Sequence, residues 1–200
     1  MLVLASASPR RQELLRNAGI AFEVQPANIA EDLQPGESAK ACAERLAREK
    51  ALTVATQRPN DIVLGADTVV IVDGQLLGKP SDAADAARML RLLSGRKHQV
   101  ITGVCLVVSG EPLVSSETTV VTMNELTDQD IVNYVASGEP MDKAGAYAIQ
   151  GIASRWIPRI EGDYGNVVGL PVALVFRMLH QISSQFPIPG SLRAKESQVF

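Results

Sequence analysis

The segment Ile62–Val72 restricts the possible folds of this chain more than any other part of the sequence. Its residues are apolar on both of the faces that a β-strand presents, which predicts a strand buried in the middle of a sheet. Asp67 interrupts the apolar run. A carboxylate at such a position is costly unless it is paired, binds a cation or lines a wet cleft. Asp67 is therefore a candidate functional residue, and a structural role in capping a neighbouring loop is the alternative.

A tight hairpin is predicted directly after this strand. The Asp-Gly pair at residues 73–74 is a strong two-residue turn signal. In the simplest register of the hairpin Thr68 lies opposite Lys79, which brings the lysine close to Asp67. An acid beside a lysine is suited to binding a phosphate and a metal ion, and a structural salt bridge is the alternative.

Residues 2–19 predict a strand, a turn of small residues and a helix that begins with an unusual charge. Ser8 stands at the N-cap position and Pro9 at the first helical position, both typical of a helix start. Arg10 and Arg11 follow, although a helix N-terminus is already electropositive and normally attracts Asp or Glu. Backbone N–H groups and two guanidinium groups together favour an anion such as phosphate. The alternative is that both arginines are simply solvated.

An acidic loop precedes a long helix predicted over residues 38–56. The loop carries three acids within seven residues, Glu31, Asp32 and Glu37. Such a loop is usually solvated, and the alternative is that one of the acids is a metal ligand. On the helix, Arg45 and Lys50 could face a site, but the sequence does not decide this.

A second polar loop, residues 139–151, is dense in small residues. It contains Asp142, Lys143 and Gln150. A glutamine amide both donates and accepts hydrogen bonds, which suits it to reading the edge of a nucleobase. Taken alone this signal is weak, because many loops contain glutamine.

The remaining elements follow from the same patterns. A helix is predicted from Ser81 to residue 93, and strands are predicted over residues 98–108, 113–123 and 156–160. The last helix is predicted over residues 171–181, with a loose tail after residue 183. Neither His98 nor His180 has a partner at metal-like spacing, so both are expected to be structural.

The composition excludes several classes of function. A formal net charge of −3 over 200 residues argues against non-specific nucleic-acid binding, so no nucleic-acid partner is expected. No apolar run approaches the roughly 18 residues that span a membrane, so no membrane partner is expected. Met1 leads straight into a predicted strand, which predicts no signal peptide and a cytoplasmic location. Cys42 and Cys105 each fall in an apolar pattern and predict buried free thiols.

Several common catalytic motifs are absent from the sequence, namely the P-loop, Gly-x-Gly-x-x-Gly, Gly-x-Ser-x-Gly and His-Glu-x-x-His. The informative segments instead resemble the Maf family of nucleoside triphosphate pyrophosphatases. The resemblance rests on Ser-Ala-Ser-Pro-Arg-Arg at residues 6–11, Gly-Ala-Asp-Thr at 65–68, Gly-Lys-Pro at 78–80, Leu-Ser-Gly at 93–95 and Thr-Gly-Val at 102–104. Residues 142–151 look like the branch of the family that acts on dTTP and UTP. Two departures near that loop, Ala153-Ser154 in place of a glycine pair and Trp156 in place of Phe, bear on fine specificity.

The resemblance implies a mixed α/β fold, with a central twisted mixed β-sheet flanked by helices and a cleft between two lobes. Residues 1–183 would form this single catalytic domain, residues 184–200 would form the loose tail, and the protein would assemble as a homodimer. The implied reaction is hydrolysis of a nucleoside triphosphate between the α and β phosphates, assisted by Mg²⁺ or Mn²⁺, which prefer oxygen ligands and phosphates.

The resemblance also assigns roles to the candidate residues. Asp67 would accept the proton of the attacking water, act with Lys79 in catalysis and share metal binding with Glu31. The expected substrate-binding residues are Ser8, Arg10, Arg11, Thr68, Lys143 and Gln150, of which Thr68 and Gln150 would select the base. Two alternatives stay open: a nucleotide-binding regulator of septum formation without significant hydrolysis, and the same catalyst acting on modified nucleotides.

Overall fold

A computed structural model describes residues 1–32 and 34–185 of the chain. Its strands are β1 (Leu2–Leu4), β2 (Glu23–Val24), β3 (Ile62–Val72), β4 (Gln75–Leu77), β5 (Lys97–Val108), β6 (Glu111–Thr122) and β7 (Arg159–Glu161). Its α-helices are α1 (Pro9–Asn17), α2 (Ala39–Ala55), α3 (Ala83–Leu93), α4 (Asp128–Ala136), α5 (Tyr164–Val168) and α6 (Val172–Gln185). Three short 3₁₀ segments follow α4, at Glu139–Asp142, Ala144–Ala146 and Ile152–Trp156.

All seven strands belong to one mixed sheet. Six of them follow the order β2-β1-β3-β5-β6-β7, and β4 pairs with β3 off this path. β1 runs parallel to β2 and β3, whereas the other neighbouring strands are antiparallel. The predicted mixed α/β architecture with a central sheet is confirmed.

The hairpin after β3 forms as predicted but is shorter. Asp73 and Gly74 have φ of 48° and 78°, the left-handed values that this turn needs at both central positions. The ladder with β4 ends at Leu77, so Thr68 and Lys79 do not pair. The chain leaves β3 there because the carbonyl oxygen of Gly78 accepts a hydrogen bond from the Gly145 amide, at 3.0 Å.

Two glycines allow α2 to lie unusually close to the sheet. A Cβ atom at Gly65 on β3 would lie 2.2 Å from the carbonyl oxygen of Ala47, and one at Gly103 on β5 would lie 2.2 Å from that of Ala43. The backbone that comes close at Gly65, two residues before Asp67, is therefore that of α2.

Two hydrophobic cores share the opposite face of the sheet. One core holds Ile62 and Leu64 of β3 together with apolar residues of α1 and α6. The other holds Val70 and Val72 together with apolar residues of α3 and α4. Thr68 lies on the same face between them, because side chains alternate along a strand.

Several element boundaries differ from the predictions. The N-cap of α3 is Asp82, whose side chain accepts from the Asp85 amide at 2.8 Å, and not Ser81. Residues 152–156 form a 3₁₀ segment, so the predicted strand over residues 156–160 is reduced to β7. The last helix continues to Gln185, beyond the predicted start of the tail. The tail from residue 186 onward lies outside the described residues, and its looseness stays a prediction.

Two expectations from composition can be compared with this fold. Cys42 and Cys105 are both buried free thiols, as predicted. Within the described ranges, no helix combines the length and apolarity that a membrane crossing demands.

Candidate active site

The sheet is interrupted along one edge of β3. β5 pairs along the other edge, and the interrupted edge carries β1 at Ile62 to Leu64 and β4 at Val70 to Val72. Among the described strands, residues 65–69 therefore have no partner on this edge. Asp67 and Thr68 lie in the middle of the interruption and point to opposite faces of the sheet.

A cleft of about 880 Å³ opens at this interruption. It is bordered by the start of α1, the loop before α2, β3, the segment after β4 and the loop between α4 and β7. It is lined by all nine predicted site residues, Ser8, Arg10, Arg11, Glu31, Asp67, Thr68, Lys79, Lys143 and Gln150. The fold thus brings residues from distant parts of the chain into one cleft, while the individual roles stay predictions.

The cation beside Asp67 is Lys50, and this corrects the predicted pairing with Lys79. The Lys50 ammonium lies 2.6 Å from Oδ1 of Asp67 and 2.5 Å from Oε1 of Glu31. Lys79 instead contacts the other oxygen of Glu31, at 2.8 Å. The four side chains form a continuous ionic chain from Asp67 through Lys50 and Glu31 to Lys79. The Asp67 carboxylate is buried and compensated, as its position in an apolar strand requires.

Lys50 is the residue that the sequence analysis did not place in the site. It is 6% exposed and occupies the buried stripe of α2 between Ala47 and Val54. A lysine at a core position of an amphipathic helix needs an acidic partner. The position of Lys50 within the apolar stripe of α2 is therefore the sequence signal that could have identified it as a site residue. The close approach of α2 at Gly65 and Gly103 places its ammonium against β3.

Glu31 is held in its ionised form by the two lysines. Partial burial alone would raise the pKa of this carboxyl, but hydrogen bonds and charge from Lys50 and Lys79 outweigh burial and lower the pKa to about 2. The carboxylate therefore stays charged throughout the physiological pH range and can bind a cation.

Arg11 points into the cleft from the first turn of α1. Ser8 caps this helix as predicted, accepting from the Arg11 amide at 3.4 Å. The guanidinium donates to the Gly169 carbonyl at 2.8 Å, to Ser6 Oγ at 3.1 Å and to Thr68 Oγ1 at 3.2 Å. These three acceptors are neutral, and burial lowers the pKa of Arg11 although Asp67 and Glu31 oppose this. Arg11 is therefore not a solvated surface residue, and its positive charge has no directly bonded carboxylate among the described residues.

Arg10 crosses the mouth of the cleft to the small-residue loop. Its Nη1 lies 3.2 Å from Oδ2 of Asp142, which also bonds Lys143. Burial alone would raise the pKa of Asp142. The hydrogen bonds and positive charges of Lys143 and Arg10 lower this pKa by more than burial raises it, so the net shift is downward. Lys143 additionally donates to the Glu139 carbonyl at 2.6 Å. Gln150 is exposed at the rim of the same cleft.

The described lining of the cleft combines the acids Glu31, Asp32, Asp67 and Asp142 with the buried Lys50 and several further cations. This combination is suited to binding a polyphosphate together with a divalent ion. The sequence model of a family described as "Maf-like protein" matches residues 1–182 of the chain. The chain belongs to the Maf family.

Relatives of the chain carry names that agree with this membership. A protein of Koribacter versatilis (strain Ellin345) is 57% identical over 90% of this chain and 93% of its own length, and one of Symbiobacterium thermophilum is 54% identical over 94% and 95%. A protein of Escherichia coli O157:H7 is 51% identical over 92% and 93%. All three are named dTTP/UTP pyrophosphatase. The solved structure of a HAM1 protein from Coxiella burnetii covers 90% of this chain and 98% of its own, with 19% identity and a TM-score of 0.46.

Four of the segments that carry the resemblance to the Maf family converge on the cleft, whereas residues 93–95 and 102–104 are not among its lining residues. Residues 6–11, Asp67 and Thr68 of β3, Gly78 and Lys79, and the loop from Asp142 to Gln150 all contribute to its lining. Of the two departures, Ala153 and Trp156 lie behind it, whereas Ser154 is exposed. Ala153 is buried, and the Trp156 ring packs edge-on against Tyr134, 5.4 Å between centroids. Both belong to the core beneath the loop and do not line the cleft.

Proposed function

We propose that this protein is a nucleoside triphosphate pyrophosphatase that hydrolyses dTTP and UTP to the monophosphate and pyrophosphate. The observation that carries the proposal is the ionic chain of Asp67, Lys50, Glu31 and Lys79 in a cleft that Arg11 also enters. Relatives that share half or more of its residues are named for this activity. Those names support hydrolysis over a regulator that only binds nucleotides.

In the proposed reaction, water attacks the α-phosphorus and its proton passes to Asp67. The bond from the α-phosphorus to the bridging oxygen breaks, and pyrophosphate leaves with the electron pair. Lys50 orients the carboxylate through Oδ1, so Oδ2 is the oxygen that takes the proton. A positioned carboxylate base of this kind contributes about 10²- to 10⁴-fold to a rate.

The cations of the cleft are proposed to hold the triphosphate. Lys79 and Arg10 are both paired with carboxylates, Glu31 and Asp142 respectively. Both pairs are partly solvent-exposed, and exposed pairs of this type contribute only about 0–1 kcal/mol. The phosphates of a substrate can therefore replace the acids at little cost. Ser8 and the N-terminus of α1 offer further donors to the phosphates.

The residues present fit a divalent ion, Mg²⁺ or Mn²⁺. Asp67 and Glu31 lie close to each other, since both contact the Lys50 ammonium. Three or more His, Cys, Asp or Glu side chains do not gather into a metal site anywhere in the described ranges. Mg²⁺ is commonly bound by one or two carboxylates plus substrate phosphates, so two acids suffice. When bound, the ion would neutralise charge on the phosphates and acidify the attacking water.

Base selection is proposed to lie with Thr68, Arg11 and Gln150, together with Lys143 at the rim. The assembly is proposed to be a homodimer, as the family resemblance implies, and sedimentation velocity measures this directly. A cytoplasmic location is proposed as well and agrees with two unpaired thiols.

The reaction is tested by hydrolysing dTTP with Mg²⁺ in ¹⁸O-enriched water. Attack at the α-phosphorus places one ¹⁸O atom in dTMP and none in pyrophosphate, which mass spectrometry of both products resolves. Label in the pyrophosphate, or release of orthophosphate instead, would contradict the proposed reaction.

A further inference from the structure

Two threonines form a polar pair between the two hydrophobic cores. Thr68 of β3 and Thr102 of β5 lie directly opposite each other, with their hydroxyl oxygens 3.0 Å apart. Thr102 is fully buried, whereas Thr68 is partly exposed and lines the cleft. The pair thus connects the core of the sheet to the site where a ligand would bind.

The direction of the hydrogen bond in this pair is fixed by a third residue. Thr102 Oγ1 donates to the backbone carbonyl of Asn166, at 3.0 Å. A carbonyl oxygen can only accept, and a hydroxyl group has a single hydrogen. Since the hydrogen of Thr102 is used there, Thr68 must be the donor to Thr102.

The side chain of Asn166 is anchored by three hydrogen bonds, which keep the backbone carbonyl of this residue beside Thr102. The residue is fully buried, and its Oδ1 accepts from the Thr102 amide at 3.1 Å. Its Nδ2 donates to the Val100 carbonyl at 2.9 Å and to Thr119 Oγ1 at 3.0 Å. A flipped amide would place its NH₂ group against the Thr102 N–H, leaving buried donors without acceptors.

On the cleft side, Thr68 is limited to accepting hydrogen bonds. Its hydrogen is used by Thr102, and one lone pair of its oxygen takes Arg11 Nη2–H at 3.2 Å. One lone pair is left for a ligand. The neighbouring guanidinium has only N–H donors and uses three of its five in these contacts, so Thr68 and Arg11 present one acceptor beside two remaining donors.

We propose that Thr102 and Asn166 are positioning residues that fix Thr68 as the acceptor for the N3–H group of a uracil or thymine base. These bases carry N3–H next to a carbonyl oxygen, which matches the Thr68 acceptor and the Arg11 donor. Cytosine has an unprotonated N3, which would face the fixed lone pair of Thr68, and an amino group where the carbonyl stood. The inference rests on the proposed function and names the feature of the base that is read.

The test measures base selectivity in binding, without turnover. The α,β-methylene analogues of dTTP and dCTP cannot be cleaved at the bond in question, and calorimetry gives their dissociation constants in the presence of Mg²⁺. The variant Thr102→Val removes the hydroxyl and keeps the shape, and Thr102→Ser restores the hydroxyl. Thr119→Val is the matched control, because it removes another buried hydroxyl that bonds Asn166 but not Thr68.

The wild-type protein and Thr102→Ser are expected to prefer the dTTP analogue by tenfold or more. In Thr102→Val the Thr68 hydrogen is free to turn towards N3 of cytosine, so the preference falls by about tenfold, the size of one net hydrogen bond. Thr119→Val is expected to keep the preference even where it weakens both affinities. An unchanged preference in Thr102→Val, or an equal loss in Thr119→Val, would overturn the proposal.

A second measurement covers the case in which Thr102→Val does not fold. The N3-methyl derivative of the dTTP analogue lacks the donor, so the wild-type protein should bind it at least tenfold more weakly, and equal binding overturns the proposal. A protein that binds with the expected selectivity but releases no pyrophosphate from dTTP contradicts only the proposed reaction. A protein that releases pyrophosphate from dTTP but keeps its base preference in Thr102→Val contradicts only the present inference.

Discussion

A carboxylate in the middle of an apolar strand is stable only when its charge is compensated, and at Asp67 the compensating group is the Lys50 ammonium, 2.6 Å away. The same contact orients one carboxylate oxygen, and in the proposed reaction the second oxygen takes the proton of the attacking water. Under that proposal, one ion pair meets both the structural and the catalytic requirement.

Asp67→Asn is expected to reduce pyrophosphate release from dTTP by at least about 100-fold, because the amide cannot accept the proton of the attacking water. The fold is expected to persist, since Lys50 keeps Glu31 as a partner. Steady-state turnover and circular dichroism measure the two effects. Asp73→Asn is the control, because its ion pair with Arg96 lies at the exposed hairpin turn. Near-normal turnover in Asp67→Asn would remove this residue as the base.

His98 is a second buried titratable residue, and its burial makes the stability of the fold depend on pH. Its Nε2 lies 2.8 Å from the Tyr147 hydroxyl, and burial lowers the pKa of His98 to about 4. The unfolded chain, with a pKa near 6.5, binds the proton more readily. Between pH 6.5 and pH 4 the unfolded state therefore gains protons first, and the free energy of unfolding falls as the pH falls.

The size of this effect is about 3 kcal/mol, the pKa difference at 1.36 kcal/mol per unit. Urea unfolding of the wild type at pH 7 and pH 4 is expected to show this loss in addition to that of other groups, and His98→Gln is expected to lack it. His180→Gln, at the exposed second histidine, should behave as the wild type does. The same pH dependence in His98→Gln and wild type would contradict the assignment.

At the residue scale, local patterns were enough to single out four residues. Ser8 follows the usual preference of an N-cap, whereas Asp67 in an apolar strand and Arg10 and Arg11 at a helix start are exceptions to the usual preferences. The sequence did not locate Lys50, because a lysine in a helix is ordinary until the buried face of that helix is known. The partner of Lys79 was also out of reach, because Glu31 lies 48 positions away on a loop without regular structure.

At the scale of elements, the approach of α2 to the sheet decides the geometry of the site. Gly65 and Gly103 remove the side chains that would hold the helix away, and Lys50 reaches Asp67 as a result. Neither glycine has a positive φ, so their role is space and not backbone conformation.

Gly103→Ala is expected to lower the free energy of unfolding by at least about 2 kcal/mol. Its Cβ would lie 2.2 Å from the backbone carbonyl oxygen of Ala43, and a change of side-chain rotamer cannot relieve a clash with backbone. The substitution should also reduce activity by displacing Lys50. Gly78→Ala is the matched control, since its Cβ would meet nothing within 4 Å. Chemical denaturation of both variants measures the difference. A Gly103→Ala protein as stable as Gly78→Ala would contradict the close approach of α2.

Element prediction succeeded where a pattern is strong and local. The buried β3 and its Asp-Gly turn were both predicted correctly, as were β5 and β6 within two residues. The hairpin register failed beyond Leu77 because a distant residue, Gly145, takes the Gly78 carbonyl. The strand predicted to begin at Trp156 does not form there. The Trp156 ring is instead buried in the hydrophobic core that also contains residues of α4.

At the scale of the whole molecule, the cleft forms where two cores on one sheet meet. β1 and β4 pair with the two ends of the same edge of β3. The middle of that edge, at Asp67 and Thr68, therefore has no partner among the described strands. The ion pair of Arg10 and Asp142 joins segments 132 positions apart across this opening. No local pattern contains such a pair, whereas the family resemblance identified both segments without stating their contact.

The central claim is that the protein is a metal-dependent pyrophosphatase selective for dTTP and UTP. It is tested most directly by measuring pyrophosphate release from a panel of canonical and modified nucleoside triphosphates, with and without Mg²⁺ or Mn²⁺. The account predicts release from dTTP and UTP, strongly reduced without the metal ion and much slower for dCTP and the purine nucleotides. Absence of pyrophosphate release from every nucleotide in the panel, with the metal ion present, would contradict it.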